Sequence, residues 1–80
     1  MKEYIATFHT HLAALMTSRT LTGLGVKAQM MPVPRKLSSS CGTCVYYQAE
    51  VPHLSAMDED VEAVYEKTGK EEYALLMNAE

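Results

Sequence analysis

At Thr10 the hydrophobic pattern of this chain changes period. From Glu3 to His9 it alternates: Tyr4, Ala6 and Phe8 fall on one side, and Ile5, Thr7 and His9 on the other. β-branched and aromatic residues dominate, so the run reads as a strand. Thr10 is suited to cap a helix, because its hydroxyl accepts an orphan amide of the next turn. Leu12, Leu15, Met16 and Arg19-Thr20 then follow i, i+3, i+4 spacing, with Leu21 and Leu24 on one flank. Gly23 and Gly25 supply stop signals. The expectation is a helix over 11–22.

Alternation returns at Val26, Ala28 and Met30, and Pro32 and Pro34 end that second strand because proline cannot donate a ladder hydrogen bond. Residues 34–42 form a polar loop closed by Gly42. A third strand over 43–51 puts Val45, Tyr47 and Ala49 on one face. Beyond Ser55, the stripe Met57, Val61, Val64, Tyr65 and Thr68 reads as a second helix. Asp58, Glu59 and Asp60 stand in its first turn, where negative charge suits the helix dipole; with Glu62 they read as a solvated acidic face, and Gly69 ends the helix. A short apolar run, 72–77, follows as a strand or a helical turn. The order is β-α-β-β-α-β. The expected fold is therefore an α+β, ferredoxin-like split βαβ with an antiparallel or mixed sheet and two helices on one face. At 80 residues the chain is expected to be a single domain, 1–80.

Composition excludes some functions. Net charge is −3 and no basic patch exceeds Arg35-Lys36, so phosphate-driven nucleic-acid binding is not expected. No apolar run approaches the ~20 residues that span a bilayer. No signal-peptide pattern opens the chain, so the expected location is cytoplasmic. In that compartment two cysteines serve redox, metal or nucleophilic chemistry more often than a structural disulfide. No cofactor-binding motif is present: there is no phosphate-binding glycine loop, Ser-His-Asp spacing or HExxH.

The reactive groups gather by topology. In a split βαβ the second strand runs parallel to the first, so both end at the same edge of the sheet. The loop carrying Cys41 should therefore meet Thr10 and His11 at the helix start. There, unpaired helix amides and the cationic side chains of His11, Arg35 and Lys36 favour a thiolate on Cys41. Ser38, Ser39 and Ser40 could cradle an anion on the sulfur. Gly42 lets the chain turn sharply beside it. A structural cysteine in serine-rich turn material is the plain alternative.

Cys41-Gly-Thr-Cys44 is also a CxxC. Here it opens a strand rather than a helix, so the thiol activation found in thioredoxin-like motifs is missing. With His9 and His11 it makes a candidate Cys₂His₂ zinc set. Cys44 itself is expected on the strand face opposite Val45.

Three segments resemble a small bacterial family of unknown function described as selenium/sulfur carrier-like. They are Thr7-Phe-His-Thr-His-Leu-Ala-Ala, the glycine at 25, and Pro32-Val-Pro-Arg-Lys-Leu-Ser-Ser-Ser-Cys-Gly. The resemblance spans roughly residues 3 to 70. The family's cysteine falls on Cys41, its glycine on Gly42, its Thr-His pair on Thr10 and His11, and its loop arginine on Arg35. Cys44 is not part of that motif. The resemblance implies a carrier rather than a turnover enzyme, without a cofactor. Cys41 would take a chalcogen from a persulfide or selenide donor protein and release it to an acceptor protein. A zinc module on Cys41, Cys44, His9 and His11, and a non-catalytic interaction domain that forms a homodimer through a sheet edge, are the other expectations.

Overall fold

The computed structural model describes residues 1–79. It contains β1 (Lys2–Phe8), α1 (His11–Gly23), β2 (Lys27–Pro32), β3 (Thr43–Ala49), a single 3₁₀ turn (Leu54–Ala56), β4 (Val61–Gly69) and β5 (Glu72–Asn78). The strands form one five-stranded sheet in the order β2-β3-β1-β4-β5. Every neighbouring pair is antiparallel. β1 and β2 both pair antiparallel with β3, so they run in the same direction on either side of it.

The fold is α+β with one α-helix, and the two-helix β-α-β-β-α-β order is not matched. The second expected helix is β4. Val61-Glu-Ala-Val-Tyr-Glu-Lys-Thr carries apolar residues at spacings that satisfy both a helical stripe and a strand. Its valines, Tyr65 and Thr68 favour the pleated alternative. The decisive term is non-local: β1 is central, and β4 completes the hydrogen bonds along its second edge. The acidic group before it caps no helix. Asp58 folds an Asx turn, its carboxylate accepting the Asp60 amide at 3.0 Å, and its backbone carbonyl accepts the Val61 amide at 3.1 Å. The final run, 72–77, is the edge strand β5.

One face of the sheet holds the main core: Tyr4, Ala6 and Phe8 from β1, Val45, Tyr47 and Ala49 from β3, and Val61 and Val64 from β4. Tyr4 and Tyr47 stack with ring centroids 5.1 Å apart. The helix meets this face with Ala13, Ala14, Thr17 and Leu21, all buried. This is not the expected stripe, because Leu12 is 64% exposed and Met16 47%. Small helix residues let the helix sit close over the large sheet side chains, which supply the volume. Thr17 also ties the helix to the turn before β4, where its hydroxyl oxygen accepts the Asp58 amide at 3.0 Å.

The opposite face carries no helix, yet Ile5, Thr7, Cys44 and Ala63 on it are buried. The β2–β3 connection runs over that side. Pro34 lines a groove there with Ile5, Gln29, Met31, Tyr46 and Lys67.

Candidate functional site

β1 and β2 end at the same edge of the sheet, and the loop between β2 and β3 is tied down there. The Val33 amide donates to the Gly42 carbonyl at 3.1 Å and closes the loop at its base. The Ser39 hydroxyl donates to the Phe8 carbonyl, the last of β1, at 2.8 Å. Ser40 binds Glu62 twice, through its amide at 3.1 Å and its hydroxyl at 2.7 Å. Gly42 turns the chain at φ +74°, in the left-handed region that favours glycine.

Within this frame Cys41 is partly exposed. Its thiol lies 3.4 Å from the Thr43 carbonyl, as donor to it, and 3.9 Å from the Ser39 hydroxyl oxygen. The Ser39 proton is already given to Phe8. With the thiol proton on Thr43, the Ser39 contact is no second hydrogen bond, and Ser39 would donate to an anion on the sulfur only after its hydroxyl rotates.

The residues expected around Cys41 divide. The helix start is beside the loop: the His11 ring Nδ1 and the Thr43 hydroxyl are 3.4 Å apart. Thr10 is the N-cap, its hydroxyl oxygen accepting the Ala13 amide at 3.1 Å. Both residues thus stand next to the loop, but the partners of the sulfur itself are Ser39 and Thr43. Arg35 sits in the exposed turn 34–37, closed by the Leu37 amide on the Pro34 carbonyl at 3.0 Å. Among the described residues it forms no ion pair or hydrogen bond.

Cys44 is separate. It is fully buried on the helix-free face, opposite Thr7 and Met31, and its thiol donates to the Pro32 carbonyl at 3.8 Å. Burial, and then proximity to Cys41, push its thiol up to about 11. The Cys₂His₂ set is not assembled, and no group of three His, Cys, Asp or Glu suited to a metal ion occurs among the described residues. His9 turns to Ser40 and Glu62, His11 turns to Thr43, and Cys44 turns to the sheet.

Glu62 is the site residue that sequence reasoning missed. Its side chain is 15% exposed, and its Oε2 lies 3.3 Å from the Nδ1 of His9. Burial would raise this carboxyl. Hydrogen bonds from the Ser40 hydroxyl and amide, with His9 beside it, outweigh burial and hold it below the usual carboxylate range. As a residue of an expected helix, Glu62 read as part of a solvated acidic face. No signal in the local sequence marks the strand irregularity that aims it.

The family model described as "Putative Se/S carrier protein-like" matches residues 3–68. The chain belongs to this family. A protein of Escherichia coli (strain K12) named "Uncharacterized protein YtiA" is 30% identical over 46 residues, 58% of this chain. Those residues are 54% of that relative, so the chain spans about half its length. No solved structure matches the chain. The match of the carrier-like family covers β1 from Glu3, α1, the whole loop carrying Cys41, and most of β4 with Glu62.

Proposed function

We propose that this protein carries sulfur or selenium on Cys41. The observation that carries this reading is the contrast between its two cysteines. Cys41 is partly exposed on an anchored loop, whereas Cys44 is buried with its thiol pushed up to about 11. Membership of the carrier-like family supports the same reading.

The transfer needs no cofactor. The Cys41 thiolate attacks the outer sulfur of a donor persulfide, R–S–S⁻. A new S–S bond forms to Cys41, the donor S–S bond breaks, and the donor leaves as R–S⁻. The product is Cys41–S–S⁻, with no net oxidation. The selenium case is parallel when the donor holds selenium in the same state, as R–S–Se⁻. Free selenide would need an oxidant to join a thiol, so the donor is of the first kind. An acceptor nucleophile then takes the terminal atom and leaves the Cys41 thiolate. Thr10, His11, Gly42 and Arg35 shape the setting of the loop. In this reading Arg35, exposed in the turn 34–37, is available to a partner protein rather than to the sulfur.

The test is intact mass after incubation with a low-molecular-weight persulfide. A gain of one sulfur atom is expected, absent in Cys41→Ser and retained in Cys44→Ala. No gain in the wild type, or a gain that survives Cys41→Ser, sinks the reading.

A further inference from the structure

The pairing of β4 with β1 breaks alternation at one point. Thr7 faces Ala63, but the next residue, Phe8, faces Val61. Glu62 therefore stands as an extra residue between them, a β-bulge. Bulges re-aim a side chain out of the regular pleat. Here the re-aimed side chain reaches the loop, and its carboxylate takes both the amide and the hydroxyl of Ser40. The backbone carbonyl of Glu62 accepts the Ala79 amide at 3.0 Å, which pins the bulge from the β5 side. Nδ1 of His9 lies 3.3 Å from Oε2 of Glu62 and 3.5 Å from the Ser40 hydroxyl oxygen, so the end of β1 joins the same cluster. Ser40 is bonded directly to Cys41. Holding its amide and its hydroxyl together fixes the residue from which the chain continues into Cys41.

We propose that Glu62 is a positioning residue that acts through Ser40 to hold Cys41 half-sheltered against the start of β3. The inference rests on the carrier reading for its purpose. A terminal chalcogen on an unrestrained loop is open to any small thiol. A thiolate R–S⁻ attacks the outer sulfur of Cys41–S–S⁻ and leaves as R–S–S⁻, returning the Cys41 thiolate. The latch lowers access to that sulfur until a partner engages the loop.

The test compares wild type with Glu62→Ala, Glu62→Gln and Val64→Ala. Val64 is buried in the main core and forms none of the hydrogen bonds of the latch, so its variant is a control for general loss of stability. The first readout is the rate of Cys41 alkylation by iodoacetamide at pH 7, which is independent of carrier chemistry. Losing the two bonds to the carboxylate opens the loop, and about a tenfold rise is expected for Glu62→Ala. Glu62→Gln keeps an acceptor for Ser40 and falls between. Val64→Ala stays within about twofold of wild type at a temperature where it remains folded. The second readout is loss of the terminal sulfur from loaded protein to a small thiol, faster in the same order. Alkylation rates of Glu62→Ala and Glu62→Gln equal to wild type overturn the proposal. So does an equal rise in Val64→Ala. If Glu62→Ala does not fold, Glu62→Gln alone decides. A wild type that cannot be loaded sinks the carrier reading, while the alkylation comparison still judges Glu62.

Discussion

Two cysteines three positions apart have opposite surroundings. The Cys44 side chain points into the helix-free face beside Thr7 and Met31, and Cys41 stays in the loop. Limiting iodoacetamide on native protein at pH 7 should therefore label one site per chain, Cys41, as read by peptide mass. Label on Cys44 should appear only after denaturant is added. Cys44 also makes a linkage prediction. Its folded value is raised, so its contribution to stability is complete below its ordinary value near 9.0. That contribution is lost as pH rises through about 11. Stability measured by urea between pH 9 and 11 should fall, and Cys44→Ala should flatten part of that fall. Tyr47 and Tyr46, whose phenols are both raised from 10.0 chiefly by burial, add to the fall above about pH 10. Glu62 works in the opposite direction. Its folded value is lowered, so its contribution is present above about 4.5 and is lost as pH falls through the folded value. Glu62→Gln should be less stable than wild type at pH 7 and should lose less on acidification.

At the scale of elements, local rules explain the first half of the chain. The alternation of Tyr4, Ala6 and Phe8, the cap at Thr10 and the alternation in β3 all reappear in the fold. Thr10→Ala should cost about 1 kcal/mol of stability, measured by urea, because the Ala13 amide loses its acceptor. Gly42→Ala should cost about 1–2 kcal/mol. An added Cβ there meets nothing within 4 Å, so the cost is backbone strain alone. Gly42→Asn should cost less, since asparagine tolerates that conformation better. The second half was less legible for two reasons. The apolar spacing from Val61 to Thr68 is ambiguous between periods, and only the empty edge of β1 resolves it. The bulge then defeats any alternation count, so the direction of Glu62 depends on pairing with Thr7 and Phe8. The helix face was misjudged for a related reason. Leu12 and Met16 are exposed, and Ala13, Ala14 and Thr17 pack beside Leu21 because the sheet already supplies the bulk. The Cys41 neighbourhood was visible only through topology. The shared edge brings the loop to His9 and His11, but the atoms that touch the sulfur are those of Ser39 and Thr43.

At the scale of the whole molecule, the length of the β2–β3 connection needs a reason. Pro32 pairs with Thr43, and Val33 and Gly42 close the ladder. Two residues would join such strands in a tight hairpin. The chain instead uses residues 34–41, which carry Pro34 over the helix-free face and Ser39, Ser40 and Cys41 to the β1–β4 end. The opposing terms can be compared by replacing 34–41 with Asn-Gly. Shortening the loop recovers about 1 kcal/mol of closure entropy, at roughly 0.6 kcal/mol per doubling of length. It removes the Ser39 bond to Phe8 and both Ser40 bonds to Glu62. Both Ser40 bonds are solvent-exposed, so each of the three lost bonds is taken at about 1 kcal/mol, and together they outweigh the entropy by about 2 kcal/mol. The hairpin variant should fold with the same sheet and a similar urea m-value. It should be less stable by roughly 2 kcal/mol, since Glu62 is left partly buried with only His9 beside it. Stability at or above wild type would mean that the loop anchors contribute nothing, and that its length serves the presentation of Cys41 alone.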